Sequence, residues 1–386
     1  MTHLHPNHPT PRRRMRPCLA ALLLSMTAAA SVASPAPTSW ELLDLGPYHG
    51  RSLALNDHGW VVSWAQVYAP GPQGYSVTTL KNAQGDTSNF WLSDINNHNV
   101  IVGVDASGPL NLRQSFVQDG DVRTNLPSMT DYMGHQSATV TSINDAGQAV
   151  GNTSFYGVRW DPLGGGQYNI VRLGLPLPGD EVGSGDAVGV NDHGTGVLSQ
   201  VWPTYRAGWS SGTANTAVIP ELPGYTPLGR DINNAQQVAG FGVYNCDGYG
   251  CNRPFIWQGN TVEWLPETLN TTGWINADAR GLNEHGQVVG GAWLASYTYR
   301  AMLWTRGPEG WVQTNLNTLV PDSPLILMEA QDINARGQIV GVGANADGAA
   351  RIYLLSPVPE PATWALVLGG LTTLAGVRLS RQRTRT

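Results

Sequence analysis

The chain has little basic charge and almost no lysine. Of its 386 residues 22 are Lys or Arg and 28 are Asp or Glu, and Lys81 is the only lysine. Four arginines lie near each end of the chain, so the middle keeps 14 basic against 27 acidic residues, a net charge of −13. Because such a surface repels phosphate backbones, we expect no nucleic acid among its partners.

Cysteine is scarce as well. Cys18 lies in an N-terminal apolar run, which leaves Cys246 and Cys251 as a pair across a glycine-bearing loop. In an oxidising compartment this spacing predicts a local disulfide. A zinc site would need two more ligands, and no nearby Cys-x-x-Cys or His pair supplies them. We therefore expect neither a metal nor a cofactor.

Common catalytic motifs are also missing. The sequence contains no His-Glu-x-x-His and no glycine-rich phosphate loop. The adjacent carboxylates Asp180 and Glu181 fit solvated loop residues better than an acid/base pair. These absences argue against an enzyme, although a site built from distant loops stays open.

The N-terminus has the order of a secretory signal peptide. Four arginines precede an apolar run over 18–32, and small residues follow it. The run is shorter than the roughly 20 apolar residues that a membrane-spanning helix needs, which favours removal over an anchored helix. We predict a signal peptide over residues 1–34, cut by signal peptidase after Ala33 or Ser34.

A second apolar segment closes the chain. Residues 357–361 are rich in proline, residues 362–377 are apolar, and arginines follow. Because proline does not fit inside a helix, we expect the helix to begin near Ala362. Its 16 residues, at about 1.5 Å each, would give a thin membrane span with cytoplasmic arginines. Taken alone, this pattern also fits an ordinary tail anchor.

The order of these parts, with Val358-Pro359-Glu360-Pro361-Ala362-Thr363-Trp364 before the helix, resembles a PEP-CTERM sorting domain over residues 357–386. The resemblance implies a Gram-negative host whose exosortase recognises Pro359, Glu360 and Pro361 and cleaves nearby. The inner membrane would then hold the protein only transiently. Release to the cell surface or extracellular matrix, usually alongside exopolysaccharide, is what the resemblance implies.

The middle of the chain consists of seven copies of one sequence repeat. Its nucleus is apolar-Asn-polar-x-Gly-x-apolar-apolar-Gly, and successive copies lie 40 to 51 residues apart. Repeats of this length are typical of propellers and arrays. The leading asparagines are Asn56, Asn96, Asn144, Asn191, Asn233, Asn283 and Asn334.

Each repeat has the content of a four-stranded propeller blade. In the sixth we expect strands over 277–282, 287–290, 299–304 and 311–316, because short apolar stretches end at Gly, Pro or Asn. The Asn and Gly of the nucleus suit a two-residue hairpin turn with positive φ. The first blade is the poorest match, with 86–92 as its fourth strand.

The two ends of the repeat region complement each other. The seventh repeat stops after a third strand over 351–355, and 40–45 is an unassigned strand before the first repeat. Pairing the two would close the ring and remove an exposed sheet edge. We predict an all-β fold, a seven-bladed β-propeller over 35–356 closed by its N-terminal strand.

The repeat also resembles the extracellular HAF repeat, in which Ile-Asn-x-x-Gly-x-Val-Val-Gly precedes a His/Arg-Ala-Phe-Leu-Trp strand. The second element is represented here by Arg300-Ala301-Met302-Leu303-Trp304, by Arg253-Pro254-Phe255-Ile256-Trp257 and by Gln114-Ser115-Phe116-Val117. The resemblance implies an extracellular location and a repeat fold, and no activity.

Tryptophans fall into two sets. Trp160, Trp257 and Trp304 occupy matching strand positions, which predicts core packing. The second set lies in or near loops and is a candidate platform for stacking on sugar rings, with core packing as the competing explanation; it comprises Trp202, Trp209, Trp274 and Trp293. Four histidines share one turn position, which predicts turn residues and no metal site; they are His58, His98, His193 and His285.

Together these features favour an exported surface or matrix protein without enzymatic activity. It would bind polysaccharide or another surface protein through its propeller loops. The alternative is a polysaccharide hydrolase or lyase with its site on the ring axis.

Overall fold

The computed structural model describes residues 39–358, except 51, 109–111, 131–135, 154–155, 177–181, 203–205, 213–214, 247–248, 267–275 and 295–297. The predicted signal peptide with Ala33 and Ser34, the Pro359–Pro361 segment and the helix over 362–377 lie outside the described residues. Among the described residues no helix is long and apolar enough to cross a membrane.

In the described residues twenty-nine strands form seven antiparallel sheets, here called blades. The first strand is β1 (Ser39–Pro47). Blade 1 contains β2 (Leu53–Leu55), β3 (Val61–Ser63), β4 (Gln66–Gly71) and β5 (Gly74–Thr79). Blade 2 contains β6 (Phe90–Ile95), β7 (Ile101–Asp105), β8 (Gln114–Asp119) and β9 (Val122–Asn125). Blade 3 contains β10 (Ala138–Ile143), β11 (Ala149–Thr153), β12 (Tyr156–Gly164) and β13 (Gln167–Arg172).

The remaining blades follow the same plan. Blade 4 contains β14 (Leu175–Pro176), β15 (Val182–Val190), β16 (Gly196–Trp202), β17 (Arg206–Ser210) and β18 (Thr216–Val218). Blade 5 contains β19 (Thr226–Ile232), β20 (Val238–Cys246), β21 (Tyr249–Gln258) and β22 (Thr261–Trp264). Blade 6 contains β23 (Ala277–Leu282), β24 (Val288–Trp293), β25 (Tyr299–Gly307) and β26 (Gly310–Asn315). Blade 7 contains β27 (Ile326–Ile333), β28 (Ile339–Ala344), β29 (Ala350–Val358) and β1.

The predicted closure by the N-terminal strand is confirmed. Blade 7 has the order β1-β29-β28-β27, and β1 pairs antiparallel with β29 from Ser39 opposite Val358 to Pro47 opposite Arg351. The last strand continues through Pro357 and Val358, two residues beyond the boundary at 356 that the sequence predicts for the propeller. The two ends of the described chain therefore lie side by side in one sheet.

The predicted fourth strand of blade 1, over 86–92, is wrong. The fourth strand is β5, which follows β4 through a tight turn, and Phe90 already begins blade 2. The residues between form a loop in which the Asn82 side chain accepts the main-chain N–H groups of Gln84 and Asp86, both at 3.0 Å. A side-chain-stabilised loop thus replaces the expected strand.

The predicted two-residue turn is also wrong in detail. In every repeat the positive φ falls on one residue, the third after the leading asparagine, with φ of 82° at Gly59 and 56° at Gln236. The asparagine N–H bonds to the carbonyl four residues later, as from Asn283 to Gln287 at 3.1 Å. This is a longer hairpin loop with one left-handed residue, which explains why Asn99 and Gln236 can replace glycine there.

The last glycine of the nucleus marks a close approach between strands. A Cβ at Gly290 would lie 1.9 Å from the Asp278 carbonyl oxygen, and one at Gly341 would lie 2.1 Å from that of Glu329. Both sites face a β-bulge in the first strand of the blade, where the register shifts by one residue. Only glycine gives the backbone room at these sites.

Apolar side chains pack between neighbouring sheets and form the core. The predicted burial of Trp160, Trp257 and Trp304 is confirmed, since all three are fully buried. The indole N–H of Trp160 donates to the Pro127 carbonyl and that of Trp304 to the Pro266 carbonyl, both at 2.7 Å. Each bond ties a third strand to the segment that leaves the preceding blade.

Candidate functional site

The first strands of the seven blades contact one another all the way round and line a central channel. Their C-terminal ends lead into the seven asparagine turns, which lie together on one face, here called the turn face. The N-terminal ends of the same strands lie on the opposite face. These two ends of the channel carry different chemistry.

On the turn face the leading asparagines form a closed ring of hydrogen bonds, the asparagine ring. Each Nδ2 donates to the main-chain carbonyl of the corresponding asparagine in the next blade, and each side chain is at most 5% exposed. The bonds run Asn56 to Asn96 (2.9 Å), Asn96 to Asn144 (3.0 Å), Asn144 to Asn191 (2.8 Å), Asn191 to Asn233 (3.1 Å), Asn233 to Asn283 (3.2 Å), Asn283 to Asn334 (2.9 Å) and Asn334 to Asn56 (2.9 Å). The repeat asparagine is therefore an inter-blade connector.

The residues after the ring asparagines form a second layer. Six of these seven side chains accept a main-chain N–H from the preceding blade, and Ala335 is the exception. Their carboxylates and amides surround a cavity of ≈180 Å³. The four histidines of the repeat are exposed at the turn tips. Because the carboxylate oxygens already accept hydrogen bonds from the chain, this end of the channel serves ring closure.

Three carboxyl groups lie deeper in the channel wall, on β6, β19 and β27. An oxygen of each accepts a main-chain N–H of a following blade: Asp94 from Ile143 (2.9 Å), Asp231 from Leu282 (2.8 Å) and Asp332 from Leu55 (2.7 Å). Burial raises the pKa of Asp94 to about 6, that of Asp231 to about 7 and that of Asp332 to about 8. The mutual repulsion of the three carboxylates adds to the rise in the pKa of Asp332.

The opposite end of the channel carries a charged group, here called the Arg280 cluster, made of Asp278, Arg280, Tyr299 and Glu329. Arg280 occupies the bulge of β23, and its guanidinium lies 2.8 Å from Asp278 Oδ2 and 2.6 Å from Glu329 Oε1 on β27. The Tyr299 hydroxyl donates to Asp278 Oδ1. The cluster thus joins blades 6 and 7 at the channel wall, with the Arg280 side chain 39% exposed.

The electrostatics of the cluster follow from these contacts. Burial by itself would lower the pKa of Arg280, but the carboxylates of Asp278 and Glu329 raise it. Burial and the Asp278 carboxylate raise the pKa of Tyr299, so its hydroxyl stays protonated and donates. Burial also raises the pKa of Glu329, which the Arg280 charge opposes. The cluster therefore places a guanidinium, two acidic side chains and a phenol together at the channel wall.

One tryptophan of the predicted platform lies beside this cluster. Trp293 ends β24, is 39% exposed, and its ring centroid is 5.4 Å from that of Tyr299. Trp209 is the penultimate residue of β17, where it pairs with Val197 and Ala217 and packs against an inter-blade core. Trp202 is the last residue of β16, and Trp274 lies outside the described residues. Trp293 is therefore exposed, whereas Trp209 is partly buried.

Cys246 and Cys251 are joined by a disulfide, with their Cα atoms 5.9 Å apart, where β20 turns into β21. Nearby, the Tyr225 ring packs on Tyr244 at 5.2 Å and on Trp264 at 4.8 Å between centroids. The crosslink and the aromatic stack extend the blade 5 hairpin on the same side of the molecule as Trp293.

Sequence reasoning missed both the asparagine ring and the Arg280 cluster. The ring could have been inferred from the sequence, because the leading asparagine is present in all seven repeats while the glycine three residues later is replaced in two. The Arg280 cluster has no signal in the sequence, because its members come from three strands and match no motif.

No family model matches the sequence, and no curated protein matches it. Among solved structures the chain is similar to the β-propeller domain of the trilobed protease from Pyrococcus furiosus, described as having an open velcro topology. That likeness has a TM-score of 0.46 and 9% identity, and it covers 81% of this chain and 94% of that one. At this level the seven-bladed fold rests on the strand pairings of the chain itself.

Proposed function

We propose that the protein is an exported, surface-associated propeller that binds polysaccharide, without cleaving it, on the face opposite the asparagine turns. The observation that carries the proposal is the exposed Trp293 next to the Arg280 cluster. Aromatic faces stack on the apolar faces of sugar rings, and neighbouring charged groups bond to hydroxyls. A site that combines an exposed indole with fixed donors and acceptors suits a glycan.

The positions of the chain ends support this orientation. β29 ends next to the seventh asparagine turn, where Gln338 Nε2 donates to Ser356 Oγ at 3.0 Å. Ser39 lies opposite Val358, so both ends of the described chain leave from the turn face. A C-terminal anchor would therefore hold the turn face toward the membrane. Trp293 and the Arg280 cluster would face away from it.

The route to the surface is part of the proposal. Signal peptidase would remove residues 1–34, the C-terminal segment would hold the protein briefly in the inner membrane, and exosortase would act at Pro359, Glu360 and Pro361. Fractionation of cells with and without exosortase tests this route. We expect the protein in the extracellular fraction only when the enzyme is present, and an unchanged distribution would contradict the route.

Binding is tested by affinity electrophoresis of the purified protein in gels that contain exopolysaccharide from its host. We expect retardation that Trp293→Ala weakens about tenfold or more. Stacking of a nucleic-acid base on an aromatic side chain contributes about 1–3 kcal/mol, and we take the same range for a sugar ring. Trp311→Ala is the matched control, since Trp311 lies on β26, the outer strand of the same blade. Equal retardation of both variants and the parent would refute the Trp293 site.

One observation favours the alternative, a polysaccharide hydrolase or lyase on the ring axis. The acidic side chains of Asp278 and Glu329 flank the Arg280 guanidinium at the channel wall. A pair of Asp or Glu residues is the usual catalytic group of glycoside hydrolases. Release of oligosaccharides from the same exopolysaccharide would support the alternative and contradict the non-enzymatic proposal.

A further inference from the structure

A second arginine lines the channel on the blade next to the Arg280 cluster. Arg230 occupies the bulge of β19, as Arg280 does in β23, and its side chain is exposed. Its guanidinium carbon lies 5.0 Å from the ring centroid of Phe241, which is buried. The Phe241 ring packs against one face of the guanidinium, and the exposed part of the guanidinium faces the channel.

The two arginines differ in their partners. Arg280 is held by Asp278 and Glu329, whereas the Arg230 guanidinium has no hydrogen bond or ion pair with any described residue. Asp186, which also acts on Arg230 electrostatically, accepts a hydrogen bond from Asn152 Nδ2 at 2.7 Å. Although Arg230 is exposed at the channel, desolvation by the surrounding wall and then the neighbouring Arg280 charge lower its pKa, with Asp278 and Asp186 opposing them. The charge at Arg230 is therefore incompletely compensated.

We propose that Arg230 binds the carboxylate of an acidic sugar in the glycan that stacks on Trp293. This inference rests on the proposed function and adds the substrate class, a uronate-containing polysaccharide. A planar guanidinium matches a carboxylate through two parallel N–H···O bonds, and one such fork serves one carboxylate. Arg230 and Trp293 come from adjacent blades, so a single chain of sugars can contact both. Ring stacking supplies affinity, and the fork supplies selection for acidic sugars.

The test compares the purified protein and its Arg230→Gln variant for binding to polygalacturonate, dextran sulfate and neutral dextran by affinity electrophoresis. We expect the variant to lose about tenfold or more of its affinity for polygalacturonate, the usual range for a hydrogen bond to a charged group. Arg230→Lys keeps the charge without the fork and should recover only part of the loss. Arg306→Gln is the control, since the Arg306 side chain is exposed and already pairs with Glu263 of blade 5.

The outcomes separate the two proposals. Equal losses on polygalacturonate and dextran sulfate would show a response to charge alone and overturn the carboxylate assignment. Unchanged binding of Arg230→Gln to polygalacturonate would overturn the role of Arg230, while the Trp293 effect on the host polysaccharide would stand. Failure of the parent protein to bind any of these polymers or the host polysaccharide would refute the proposed function itself. Unaltered circular dichroism of each variant shows that the blades are folded.

Discussion

Replacing one ring asparagine by alanine should destabilise the propeller more than the loss of a turn asparagine elsewhere. The Asn283 side chain, 4% exposed, donates to the Asn334 carbonyl at 2.9 Å and accepts from the main-chain N–H groups of His285 and Gln287. In Asn283→Ala these three main-chain groups lose their partner. A buried polar group left without a partner costs about 1–3 kcal/mol. Since the two turn N–H groups can be partly hydrated, we expect a total loss of about 3 kcal/mol.

Asn345 provides a matched control. Its side chain accepts the N–H groups of Asp347 (3.1 Å) and Ala349 (2.8 Å) in the same kind of turn, but it lies in the β28–β29 hairpin and makes no bond to another blade among the described residues. Asn345→Ala should therefore cost about 1 kcal/mol, the value of ordinary exposed turn bonds. Urea unfolding followed by tryptophan fluorescence measures both variants. Equal losses in the two variants would refute the claim that the ring connects the blades.

Asn283→Asp separates the donor from the acceptor. The aspartate keeps an oxygen for the two turn N–H groups but places the second oxygen against the Asn334 carbonyl. We expect a loss at neutral pH at least as large as that of Asn283→Ala, with partial recovery at acidic pH when the new carboxyl is protonated and can donate. A stable Asn283→Asp protein at neutral pH would contradict the inter-blade role of Nδ2.

Three further predictions concern stability. Burial raises the folded-state pKa of Asp332 to about 8, so the folded protein holds this proton more tightly than the unfolded chain between about pH 4 and pH 8. The contribution of Asp332 to the free energy of unfolding should therefore fall as pH rises across that range, by at most about 1.4 kcal/mol for each step of one in pH. Asp332→Asn should flatten this dependence in urea titrations, although Asp94 and Asp231 keep part of it, and an unchanged slope would contradict the assignment. Gly290→Ala should prevent correct pairing of β23 and β24, since the new Cβ meets a carbonyl at 1.9 Å, whereas Gly250→Ala, with its nearest atom at 3.8 Å, should have the parent midpoint. Deletion of 39–47 should lower the unfolding midpoint, because β29 would lose its pairing partner and become an exposed edge.

The blade count and the ring closure could be predicted because both depend on local patterns. Seven copies of one turn give the number of blades, and an unmatched strand at each end, 40–45 and 351–355, gives the closure. The prediction of the fourth strand of blade 1 was wrong because β3 has only three residues and the segment expected to be that strand is the loop around Asn82. Turn chemistry explains why glycine suits the position with positive φ. The role of asparagine depends on a carbonyl 40 to 51 residues away in six repeats and 278 residues away in the seventh, so it is visible only in the closed ring.

The candidate site could be predicted only in fragments. Trp293 is recognisable as a tryptophan next to a loop, while Trp209 has the same sequence context and is held within a strand. Arg230 and Arg280 reach the channel because a bulge shifts the register at each of them, and no residue type signals that shift. Asp278, Tyr299 and Glu329 meet Arg280 through pairing of three strands, so their proximity is a property of the fold.

The central claim is that the face with Trp293 binds polysaccharide. Equilibrium titration of the purified protein with its host's exopolysaccharide, followed by tryptophan fluorescence, tests it most directly. We expect saturable binding that Trp293→Ala weakens about tenfold or more and that Trp311→Ala leaves within about twofold, with no sugar released. Binding that is unaffected by Trp293→Ala, or the appearance of oligosaccharides during the titration, would contradict the account.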